Sequence, residues 1–187
     1  SPDFIDFIIE QSKINEFQTC IKRISDVQKL GSFDQELVLR FFALKNRKDK
    51  FVHDLADFLT EYMEEVSDPD ITDTVFDYAN EAVNFAKTFE ILCLALGDRV
   101  FGRWGSSGAQ ANFAVYQFES ICIGIQAIVD SVDVNNLNHI AAIQSALEEL
   151  KQSDEFIRET TGGGKNSKGA LANRIRVAQD KFEAVVL

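Results

Sequence analysis

The chain has 187 residues, 45% of them hydrophobic, with Phe alone occurring 16 times; this composition buries a sizeable core and excludes disorder over most of the length. A formal net charge of −11 excludes binding to nucleic acid or an anionic membrane by bulk electrostatics, so any such contact needs a local basic patch. No apolar run approaches the roughly 20 residues of a membrane-spanning helix, and no secretory signal pattern is present.

The three cysteines, Cys20, Cys93 and Cys122, are far apart, odd in number and each set in an apolar helical pattern. They read as buried free thiols of a cytoplasmic protein, not as a disulfide framework or a zinc site. Ser1 rather than Met opens the chain, which suggests a piece of a longer protein.

Prolines occur only at positions 2 and 69, which suits long helices. Ser1-Pro2 reads as an N-cap followed by proline at the first helical position. A first helix would bury Phe4, Phe7 and Ile8, and a second Ile14, Phe17, Ile21 and Ile24. Gly31-Ser32 breaks the chain. Phe33, Leu37, Phe41 and Leu44 then share a helix face, followed by the helical stripe Phe51, Val52, Leu55, Phe58, Leu59, Tyr62, Met63 and Val66.

Ser67-Asp68-Pro69 ends that helix. Asp70 reads as the next N-cap, with Asp73 completing an imperfect capping box. The stripe Ile71, Val75, Tyr78, Ala82, Phe85, Phe89, Leu92 and Leu96 predicts a central helix of about 26 residues, about 39 Å long. Residues 97–110 form a Gly-rich connection, expected to be flexible. A further long helix is expected over roughly 110–131, with Gly124 inside it because another helix approaches closely. Ile140, Ile143, Leu147 and Leu150 mark one more helix. Residues 160–169 form a second flexible loop, and Leu171, Ile175, Ala178, Phe182 and Val185 line the final helix. No stretch alternates with period two, and no internal repeat is present. The expected fold is all-α: a single helical domain over 1–187, a bundle or array of about seven to eight helices around a long central one.

Known catalytic patterns are missing. Neither His53 nor His139 belongs to a Glu-x-x-His or His-Glu-x-x-His motif. An EF-hand beginning at Asp68 fails at its sixth and twelfth positions, Asp73 and Ala79. GGGKNS (162–167) resembles a phosphate-binding loop but lacks the upstream Gly and the Ser or Thr after Lys165. Neither a metal nor a cofactor is expected, and no catalytic residue.

Two charge biases stand out. Residues 158–181 carry Arg158, Lys165, Lys168, Arg174, Arg176 and Lys181 against Glu159 and Asp180; the helix N-terminus there adds positive field. Lys165, Lys168, Arg174 and Arg176 are therefore the candidate nucleic-acid or phosphate contacts. Between Lys50 and Lys87 there is no Lys or Arg but ten acids, from Asp54 to Glu81, a candidate docking surface for a basic protein. Glu36 and Arg40, four apart, read as a favourable ion pair on one helix face.

The segment DQELVLRFFAL (Asp34–Leu44) resembles the Asp-x-Glu-Leu-Val-Leu-Arg-Phe-x-Ala-Leu segment of the family called domain of unknown function 262, which includes the GmrSD-type restriction and phage-defence proteins. FVHDLADFLTEYMEE (Phe51–Glu65), ANFAVYQFESICIGI (Ala111–Ile125) and KGALANRIRVAQDKF (Lys168–Phe182) resemble later helices of that family, in the same order. The resemblance makes Glu36 and Arg40 members of a structural family motif. It also implies an N-terminal ParB- and sulfiredoxin-like domain with an Asp-Gly-Gln-Gln-Arg signature, associated with nucleotide hydrolysis and DNA nicking, and in many members an HNH-type nuclease. Neither signature occurs in this chain. The expectation is a non-catalytic helical scaffold of a nucleotide-dependent DNA restriction or defence protein, partnered by that catalytic domain and contacting DNA through the basic 158–181 segment. The alternative is a pure protein–protein module that uses the acidic 54–81 surface.

Overall fold

The computed structural model describes residues 3–71 and 75–187. Among these, ten α-helices form the fold: α1 (Phe4–Ser12), α2 (Asn15–Cys20), α3 (Asp26–Leu30), α4 (Phe33–Arg47), α5 (Leu55–Ser67), α6 (Tyr78–Leu96), α7 (Val115–Gly124), α8 (Leu137–Gln152), α9 (Asp154–Thr160) and α10 (Lys168–Glu183). The all-α expectation holds. Its helix number rises because the expected second helix stops at Cys20, with Ser25 starting the short α3 through a capping box to Gln28, and because Ser153 caps a further short helix, α9, after α8. The expected cap at Ser1-Pro2 lies outside the described residues. Among the described residues, no helix is long and apolar enough to cross a membrane.

Phenylalanines from five segments make the centre. Phe41 of α4 packs edge-on against Phe85 of α6 at 5.1 Å between ring centroids, Phe17 of α2 meets Phe89 at 4.9 Å, and Phe101 meets Phe118 of α7 at 5.0 Å. All six rings are fully buried, and edge-to-face contacts of this kind add to the burial energy.

The central helix is shorter than its stripe predicts. It begins at Tyr78 and has 19 residues, about 28 Å at the usual rise. Asp77 is its N-cap, accepting from the Asn80 N–H. Asp70 instead closes a turn on the Asp68 carboxylate; Asp73 lies outside the described residues. Val75, which continues the expected stripe, is 88% exposed, so the first two periodic positions precede the helix.

The helix expected over 110–131 is also divided. Regular α-helix runs only from Val115 to Gly124, and 3₁₀ turns follow at 125–127 and 129–131. Every residue from Gln117 to Ile125 is buried; buried on all sides, the segment offers no stripe that could mark its end. At Gly124 the expected close approach is present. A β-carbon there would lie 2.7 Å from the Ala178 methyl and 2.9 Å from the Gln179 backbone nitrogen of α10.

The 97–110 connection contains a two-residue antiparallel hairpin, β1 (Trp104–Gly105) with β2 (Gly108–Ala109). It is too short to produce a period-two pattern. Val100 and Phe101 just before it are fully buried. At 160–169, Gly162 and Gly164 adopt positive φ, and Ser167 caps α10 through the Ala170 N–H.

Candidate functional site

Three charged side chains, one each from α4, α7 and α10, meet inside the bundle. Arg40 projects from α4, Glu119 from α7 and Arg174 from α10, and all three are buried. One Glu119 oxygen, Oε1, accepts from Arg40 Nη1 at 2.9 Å. The other, Oε2, accepts from Arg174 Nε at 3.0 Å and Nη2 at 2.6 Å. Arg40 Nη2 also reaches Glu36 Oε1 at 2.6 Å, so the pair predicted from the four-residue spacing forms at the edge of a larger network.

Arg174 completes its donor set on the Lys165 carbonyl, 2.8 Å from Nη1. Its guanidinium lies 4.4 Å from the centroid of the Tyr116 ring, a favourable cation–π contact. The Tyr116 hydroxyl in turn donates to Asn166 Oδ1 at 3.0 Å. The Gly-rich loop is thus tied to α7 and α10 at consecutive residues. Two cations and one carboxylate removed from water persist only because their hydrogen bonds compensate the desolvation.

This geometry separates the four predicted phosphate contacts. Arg174 is 2% exposed and engaged with Glu119, so it does not face solvent with the others. Arg176 is on the outer face of α10, bridged to Glu155 at 2.7 Å and Asp180 at 3.0 Å. Lys168 is exposed and donates to the Asp49 carbonyl at 2.9 Å. Lys165 is half-buried in the loop. Lys168 and Arg176 border a groove of about 280 Å³ floored by Leu171 and Ile175, with Lys48 and Asp49 opposite.

The acidic segment is partly consumed by the fold. Asp54 and Asp77 cap helices. Glu65 accepts from Lys50 and Arg47, and the Lys50 hydrogen bond holds its carboxyl below the ordinary value. Glu81 accepts from Lys45 and Asn46. Asp57, Glu61 and Glu64 remain exposed along α5. His53 is exposed, and His139 accepts the Asp133 N–H on Nδ1. Among the described residues, no group of three or more His, Cys, Asp or Glu is placed to hold a metal.

Two buried charges escape a reading of the sequence. Glu119 stands in a largely apolar run with Val115 and Ile123 four residues either side; a carboxylate there with no local cation signals a distant one. Lys151 continues the inward stripe of α8, four residues after Leu147. It is 1% exposed, and its ammonium donates to the carbonyls of Val100 (2.7 Å) and Gly102 (2.5 Å) and to Gln117 Oε1 (2.9 Å). Burial pulls its pKa down to about 7.

Comparison with protein-family models, curated proteins and solved structures finds no match to this chain.

Proposed function

We propose that this chain is a non-catalytic helical scaffold of a nucleotide-dependent DNA restriction or phage-defence protein, akin to the family called domain of unknown function 262, and that it braces a catalytic domain of the same protein in the cytoplasm. One observation carries the reading. Arg40, Glu119 and Arg174 come from three of the four segments that bear the resemblance, and they converge on a single buried bridge. The charges of these three side chains are spent on joining α4, α7 and α10. Both Glu119 oxygens are occupied by guanidinium donors, so the carboxylate is unsuited to take a proton from a substrate.

On this reading, DNA contact falls to the outer face of α10 and the loop before it, with Lys165, Lys168 and Arg176 meeting phosphates. Replacing all three with Ala in the full-length protein should weaken DNA binding and flatten its log–log salt dependence by about 0.9 for each phosphate no longer neutralised. Unchanged binding removes DNA from the proposal. The chain alone should hydrolyse no nucleoside triphosphate, and hydrolysis by it would overturn the scaffold reading.

The exposed stripe Asp57, Glu61 and Glu64 on α5 favours a second reading, a docking face for a basic protein partner. Reversing those three charges should release such a partner, and retention of the partner would exclude this face.

A further inference from the structure

Cys20 and Cys93, 73 positions apart in sequence, are neighbours in the fold. Cys20 ends α2, which packs against α6, and Cys93 lies near the end of α6. The Cys20 sulfur is 3.9 Å from the carbonyl oxygen of Phe89. In an α-helix that carbonyl accepts the N–H four residues on, which is Cys93. The Cys20 thiol therefore sits over the turn that carries Cys93, near enough for each thiol to shift the ionisation of the other.

The two thiols differ in the way such chemistry requires. Cys93 is half-buried, and hydrogen bonds from Cys20 and Thr19 stabilise its thiolate, drawing its pKa down to about 7 against the effect of burial. Cys20 is 1% exposed and its pKa is raised, first by the same hydrogen bond and then by burial. A thiolate with some access to solvent is the nucleophile in oxidation, and a protected neighbouring thiol resolves the product. Cys122 is fully buried, and burial raises its pKa; it plays no part.

We propose that Cys93 and Cys20 form a peroxide-reactive pair that closes a disulfide between α6 and α2. The Cys93 thiolate attacks one oxygen of a hydroperoxide; the S–O bond forms as the O–O bond breaks, giving Cys93 sulfenic acid and releasing hydroxide or alkoxide. The Cys20 thiol then attacks the Cys93 sulfur. The S–S bond forms, the S–O bond breaks, and the hydroxyl leaves as water with the Cys20 proton. The pair is oxidised by two electrons and the peroxide is reduced. Cys20 is the last residue of its helix, so little regular backbone need shift to bring the sulfurs together.

The test is exposure of the full chain to stoichiometric hydrogen peroxide, followed by denaturing alkylation and peptide mapping. Before alkylation the oxidised chain is expected to be about 2 Da lighter; after it, Cys20 and Cys93 lie in one cross-linked peptide pair, Cys122 is alkylated, and dithiothreitol reverses the link in full. Cys20→Ser should leave Cys93 as a sulfenic acid that dimedone traps, whereas Cys122→Ser should still form the cross-link. Sulfinic acid at Cys93 with Cys20 still free in the wild-type chain would overturn the proposal. So would recovery of both thiols unoxidised. The wild-type map decides the matter even if Cys20→Ser does not fold.

Discussion

Arg40 and Arg174 grip opposite oxygens of one buried carboxylate, that of Glu119. Removing the carboxylate leaves two guanidinium groups facing each other without their shared anion. Glu119→Ala should cost about 3–5 kcal/mol of unfolding free energy, read from the midpoint and slope of a denaturant curve. Replacing the whole bridge with apolar residues of similar volume, Arg40→Met/Glu119→Leu/Arg174→Met, should recover most of that loss, because the desolvation cost disappears along with the attraction.

Gly124→Ala tests the contact between α7 and α10. Alanine favours a helix by about 1 kcal/mol over glycine, but the added methyl would meet the Ala178 methyl at 2.7 Å. Overpacking of that kind costs about 1–3 kcal/mol, so a net loss of stability is expected in thermal or denaturant unfolding. Ala178→Gly in the same chain should return only part of it, since the Gln179 nitrogen remains at 2.9 Å.

Lys151 should make stability depend on pH. Its pKa is about 7 in the fold against an ordinary value of 10.5. Between these values the unfolded chain holds the proton that the folded chain releases, so stability rises with pH across the window. Its contribution is complete above 10.5 and is lost as pH falls toward 7. Lys151→Met should abolish this slope, seen as the difference between wild-type and variant unfolding curves at about pH 7 and about pH 9. At neutral pH the variant should also be less stable by about 1–3 kcal/mol or more, because the Val100 and Gly102 carbonyls and Gln117 lose their donor.

Helical periodicity makes α5 and α10 legible, because each buries one face and exposes the other; α4 is legible from its apolar spacing although Glu36 is its one exposed residue. The close approach at Gly124 is legible too, since glycine inside an apolar helix is costly without a packing reason. The start of α6 is not, because Ile71 and Val75 happen to continue its stripe outside the helix. The end of α7 is hidden by burial on every side. The candidate site is only half legible. Glu36 and Arg40 lie within one helix, where spacing alone sets their contact. Glu119, Lys151 and the Cys20–Cys93 pair depend on partners 34 or more positions away, and local pattern carries no information about distant neighbours. Arg174 reads as part of a basic surface because its sequence neighbours are basic; the fold turns it inward instead.

The central claim is that the buried bridge supports and does not react. The most direct test is nucleotide-dependent DNA cleavage by the full-length protein carrying Arg40→Met/Glu119→Leu/Arg174→Met, measured where the variant is as folded as the wild type. Retained cleavage is the predicted result. A folded variant that has lost cleavage would contradict the account, because the three charges would then serve the chemistry itself.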